Sequence, residues 1–165
     1  MNYKLFTNLK AFQALLFLLI PVILWITAGE LLDSISAYAY KTPMVFGTLL
    51  TLAAAIFFYD GFVAPKRWGN MLSAVFLLGV VLFPCLDFPI VHYVAAALFF
   101  LWSAAYMVIF SSNRERGFKI GFALIVIFGI LGSIAFNWYS IFWAEWVGML
   151  PISIHYVLEV LGKID

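Results

Sequence analysis

The chain is short of charge and nearly without cysteine. Only 10% of its 165 residues are Asp, Glu, Lys or Arg, against about a quarter in soluble domains. That scarcity excludes an ordinary soluble fold. Cys85 is the single cysteine, so no disulfide can form within the chain and the redox compartment cannot be read from it. A formal net charge of +1, with no Lys- or Arg-rich run, excludes general attraction to nucleic acid. Missing too are G-x-S-x-G, H-E-x-x-H, C-x-x-C, a phosphate-cradling Gly loop and a pair of His at i, i+4. The motif inventory leans away from an enzyme, and no cofactor is predicted.

What the chain has is apolar length: 66% of it is hydrophobic. A bilayer core of about 30 Å takes roughly 20 residues of helix. Six runs meet that length, at about 10–29, 44–63, 68–86, 88–112, 118–139 and 143–161. They predict an all-α fold, a six-helix transmembrane bundle forming one polytopic domain over 1–165, with the lipid bilayer as its immediate partner. The first run is too long for the roughly 7–15-residue apolar region of a signal peptide and is read as a retained helix, bent at Pro21.

Lys and Arg are held on the cytoplasmic side of a membrane, whereas acidic residues count for little. Six spans collect Lys4, Lys10, Lys66, Arg67, Arg114, Arg116, Lys119 and Lys163 on one side and leave Lys41 alone on the other. The N-terminus and C-terminus are therefore both expected to be cytoplasmic, in what reads as a bacterial inner membrane. Gly121, Gly129, Gly132 and Ser133 suit the close approach of another helix. Trp and Tyr residues near the run ends, among them Trp25, Trp68, Trp143, Trp146 and Tyr38, suit interfacial anchoring.

The longest polar-bearing interruption, residues 30–43, lies on the external side of this topology as a partly ordered cap. With it come the candidate site residues. Glu30, Asp33, Asp87 and Glu145 fall at external helix ends, His92 lies about one turn inside, and Ser34, Ser36, Tyr38 and Tyr40 share their level. Ionisable groups at membrane depth are costly and normally face a cavity or a partner. Glu30, Asp33 or Ser36, His92 and Glu145 are therefore expected to converge on one external pocket. The plainer alternative is a solvated rim and a histidine hydrogen-bonded between helices. A divalent metal held by His92, Glu30 and Glu145 is the most that the composition allows. Asp60, closing the second run, is expected to pair with Lys66 or Arg67 while Gly61 lets the chain turn. His155 reads as structural.

Several short motifs resemble those of a group of uncharacterised bacterial polytopic membrane proteins of similar size. They are Ser34-Ile35-Ser36-Ala37-Tyr38, Tyr59-Asp60-Gly61, Asn70, Phe83-Pro84, His92-Tyr93 and Phe142-Trp143-Ala144-Glu145. The resemblance covers nearly the whole chain, departs where Ala39 separates Tyr38 from Tyr40, and carries no activity with it. A looser similarity is to the seven-span membrane zinc hydrolases of the ceramidase and progestin-receptor type, but this chain has two His and lacks their closely spaced pair.

Three functions remain open at this point. The leading one is an integral membrane protein that binds or passes a small ligand or cation through the external pocket, as a homo-oligomer or in a larger membrane complex if it transports. The others are a structural or accessory membrane subunit and a metal-dependent hydrolase acting on a lipid.

Overall fold

The computed structural model describes residues 3–64, 67–109 and 114–164. Among these residues the protein is entirely helical. Its elements are α1 (Tyr3–Ala28), α2 (Tyr38–Lys41), α3 (Pro43–Val63), α4 (Gly69–Leu82), α5 (Pro89–Ile109), α6 (Arg116–Ile134) and α7 (Ile141–Val160). Five of them, all but α2 and α4, are long and apolar enough to cross a membrane.

Helix is what the sequence favours here. The runs are rich in Leu, Ala, Ile and Phe, and breakers lie mainly between them. Pro43 and Pro89 each open a helix, where a missing N–H costs nothing. Gly29 closes α1 in the left-handed conformation (φ 76°), with its N–H on the Trp25 carbonyl at 3.0 Å, a conformation that Gly adopts without a Cβ penalty. Pro21 and Pro151 lie inside α1 and α7, which run through both without a break.

The helices depart from the expected runs at their ends. The first begins earlier, at Tyr3, and the third is only 14 residues long. The fifth stops at Ile134 rather than 139, and the sixth starts two residues early, at Ile141. The interruption contributes the short α2. Gly61 does not turn the chain: α3 continues to Val63, and a Cβ on Gly61 would lie 2.8 Å from the Met71 backbone nitrogen. Its role is to let α3 and α4 touch. Of the predicted small residues in α6, Gly129 faces Val147 and Gly132 faces Tyr139, whereas Gly121 has nothing within 4 Å. Tyr38 is wholly buried rather than interfacial, and Trp146 packs partly buried against the core.

α1 packs between α3 and α7, α4 lies between α3 and α5, and α6 bridges α5 and α7. At mid-height Phe17, Phe57 and Phe99 meet with ring centroids 5.4 to 6.1 Å apart, and Tyr156 joins Phe57 at 5.8 Å. Above and below this aromatic layer, large side chains such as Ile26, Met44, Phe62 and Ile90 face outward, each more than 70% exposed. An apolar outer surface of this extent is what lipid would cover.

Candidate functional site

Segment 29–42 folds over one end of the bundle. It is pinned by main-chain groups that helix geometry leaves free: the Phe142 N–H in the first turn of α7 donates to the Asp33 carbonyl at 2.7 Å. Tyr38 props it from within. Its phenol donates to the Glu30 carbonyl (3.0 Å) and accepts from the Leu32 N–H (3.1 Å). Ser34 takes the Ala37 N–H at 3.0 Å, a local turn bond. Tyr40 reaches the α4–α5 turn, donating to Asp87 (3.0 Å) and accepting from the Leu86 N–H (2.8 Å). Desolvation, then the neighbouring Asp87 carboxylate, hold the Tyr40 phenol above its usual range.

Beneath this cap three of the predicted side chains meet. His92, 2% exposed, places Nε2 2.8 Å from Ser36 Oγ and Nδ1 2.8 Å from the Phe83 carbonyl. Ser36 Oγ lies 3.3 Å from Glu145 Oε1, and Glu145 Oε2 accepts the Ile35 N–H at 2.5 Å. These groups come from α5, segment 29–42, the end of α4 and α7, so that no two adjacent elements could build the site. Ser36 and Glu145 open inward onto a cavity of about 40 Å³, whose other walls, including Phe17, Leu77, Phe99 and Met149, are apolar.

The remaining candidates stand apart. Glu30 pairs with Lys41 at 2.7 Å on the surface, both about half exposed, so Lys41 balances an acid expected in the pocket. Asp33 is exposed and contributes its carbonyl, not its carboxylate. The proposed metal set of His92, Glu30 and Glu145 is therefore not assembled. Among the described residues no three His, Cys, Asp or Glu side chains could hold one ion. Cys85 is buried beside this end, and burial pushes its thiol up.

A second cluster, which sequence reasoning largely missed, occupies the opposite end. Lys10 Nζ lies 2.6 Å from Glu159 and 3.7 Å from Asp60, and Arg67 pairs with Glu159 and stands 3.8 Å from Asp60. Asn70 donates to Asp60 and accepts from the Tyr156 hydroxyl at 3.3 Å. Arg67 is thus one of the two partners expected for Asp60; the other, Lys66, falls outside the described residues. In the sequence Lys10 counts only as a topogenic charge, and nothing is expected of Glu159. Their signal was present: charges of opposite sign at one predicted depth, which the cost of burial requires to pair. Next to this cluster Asn70, Ser73, Ser103, His155 and Tyr156 line a void of about 10 Å³, about the least that holds a water. His92 and Ser103 are both buried on α5, but they serve different ends of the bundle.

Fold and site together define an all-helical protein with membrane-compatible helices and a buried polar cluster at each end. The model of a family of unknown function, DUF7103, matches residues 19–160, and the chain belongs to that family. The matched residues include Ser36, His92 and Glu145 as well as Asp60, Arg67 and Glu159; Lys10 lies before them. No curated protein and no solved structure matches the chain.

Proposed function

We propose that this is a six-span integral membrane protein of a bacterial inner membrane, with both termini cytoplasmic, that binds or passes a small ligand or cation at the external cluster of Ser36, His92 and Glu145. The span count rests on α4. Its first turn meets Asp60 at one end of the bundle and its last residues meet His92 at the other. At about 1.5 Å per residue its 14 residues span only about 21 Å, so the bilayer thins there or neighbouring helices shield its ends. A complete transport path through so small a bundle calls for a homo-oligomer.

One observation carries the binding reading: a carboxylate and a hydroxyl, Glu145 and Ser36, border a cavity that the rest of the core leaves unfilled, and the same hydroxyl links them to the His92 imidazole. Glu145 also anchors segment 29–42 through the Ile35 N–H, and that observation favours a structural role as the second reading. Glu145→Gln separates the two, because an amide still accepts the Ile35 N–H but carries no charge. Under the binding reading, the thermal unfolding of purified wild-type protein shifts with pH or with added cations, and the variant unfolds normally but loses that response. A wild-type midpoint indifferent to pH and to every cation leaves only the structural role.

A further inference from the structure

The hydrogen bonds of the external cluster do not close with the protons that an ordinary histidine and glutamate bring. The Phe83 carbonyl can only accept, so His92 Nδ1 carries a hydrogen and donates to it. In a neutral imidazole Nε2 is then an acceptor. Glu145, if ionised, is an acceptor too, and its Oε2 is already engaged by the Ile35 N–H. Ser36 lies between them with one hydroxyl hydrogen and two acceptors, at 2.8 Å and 3.3 Å. One contact would be acceptor against acceptor, between groups held at hydrogen-bonding distance in a buried site.

One added proton closes both contacts, and it has two places to go. On Nε2 it donates to Ser36 Oγ while the serine hydroxyl donates to Oε1. On Oε1 the donations run the other way, with the serine hydroxyl turned to Nε2. The two arrangements interconvert through the Ser36 hydroxyl with no heavy atom moved.

We propose that the ligand of this site is a proton, one per chain, shared between His92 and Glu145 through Ser36. The inference rests on the binding reading above and names its ligand. Uptake takes one proton from water and moves the net charge of the chain of three residues from −1 to 0. A metal cation fits less well. Ser36 and Glu145 are the polar side chains on the cavity wall, whereas hard cations seek about six or more oxygens. The cavity, at about 40 Å³, has room for a water beside Glu145. Among the described residues no other charged group contacts Ser36, His92 or Glu145. Asp33 is exposed, Asp87 is held by Tyr40, Tyr38 is spent on backbone groups, and Tyr93 lies beside His92 on α5. Cys85 in the α4–α5 turn is the nearby thiol, and α1, α3 and α4 present only apolar residues to the cavity.

The test uses the full chain in lipid nanodiscs, with infrared difference spectra across a pH series and proton uptake followed in weak buffer. The expected result is a protonated-carboxyl band that is lost in Glu145→Gln and displaced in both Ser36→Ala and His92→Gln, with uptake reduced by one proton per chain in Glu145→Gln. Displacement in Ser36→Ala keeps the assignment testable should the Glu145 variant fail to fold. Absence throughout the folded pH range of both this band and an imidazolium band that His92→Gln removes, or persistence of the carboxyl band unchanged in all three variants, overturns the proton. Titration of the same samples with Na⁺, K⁺ and Mg²⁺ at fixed pH distinguishes the failures. A cation-induced change in the carboxylate bands with neither a protonated-carboxyl nor an imidazolium band keeps the pocket and discards the proton, and no response to either discards both.

Discussion

Tyr38 and Glu30 show how differently two neighbours on one segment can weigh. Tyr38 is completely buried, and its phenol serves two backbone groups that would otherwise lack a partner. Tyr38→Phe should cost about 1–3 kcal/mol and Tyr38→Ala about 3–5 kcal/mol in unfolding of the solubilised protein. Glu30, half exposed on Lys41, should contribute under about 1 kcal/mol. Glu30→Gln should therefore leave both unfolding and the pH response of the site as they are, and a lost response would return Glu30 to the pocket. At Cys85 burial disfavours the thiolate, which is the reactive form. Alkylation in the folded protein should be much slower than for a free thiol at neutral pH and accelerate only under alkaline conditions; fast labelling at neutral pH would place the thiol in solvent.

At the scale of elements, contact between helices is decided by single hydrogen-for-methyl differences. Gly61 has no room, since a Cβ would meet the Met71 backbone nitrogen at 2.8 Å and the Arg67 carbonyl at 3.1 Å. Gly61→Ala should force α3 and α4 apart and cost about 1–3 kcal/mol. Gly121, with nothing within 4 Å, should respond in the opposite direction. In a helix Ala is better than Gly by up to about 1 kcal/mol, so Gly121→Ala should be neutral or stabilising. Equal effects in the two variants would mean that α6 at Gly121 meets a partner, such as a second copy of the chain.

Over the whole molecule, the two polar clusters tie together elements far apart in sequence, with the Phe17, Phe57 and Phe99 layer between them. At the end opposite the cap, Lys10, Asp60, Arg67 and Glu159 join α1, α3, the approach to α4 and α7. Their two positive and two negative charges balance when all are ionised. Removing one member leaves buried charge uncompensated, a loss of about 3–5 kcal/mol. Glu159→Gln should lower thermal stability on that scale, whereas a simultaneous Lys10→Met, Glu159→Gln pair should recover part of it. The membrane topology has its own test. Asp33, Asp87 and Glu115 are exposed and can report on it. On a Cys85→Ala background, cysteines at Asp33 and Asp87 should react with an impermeant maleimide from outside the cell. One at Glu115 should react only after permeabilisation, and its labelling in intact cells would sink the orientation.

Apolar length and the residues that interrupt it determined most of the helices without any structure. A run of about 20 residues without charge has one stable form in lipid, because backbone groups must be satisfied within the segment. Where local chemistry decides, as at Pro43, Pro89 and Gly29, ends were legible to within a residue or so. Where it does not, at the start of α1 and the end of α6, they were missed by several. That Ser36, His92 and Glu145 belong to one level was readable from their places in the runs, because depth follows from counting 1.5 Å per residue. Which of the polar residues at that level touch was not. Whether Glu30 turns to Lys41 or to His92, and whether Glu159 finds Lys10, depends on how each helix is rotated about its axis and on which helices are neighbours. Those are set by packing of side chains from distant segments, such as Gly61 against Met71 and Phe17 against Phe57 and Phe99, and such contacts exist only in the folded bundle.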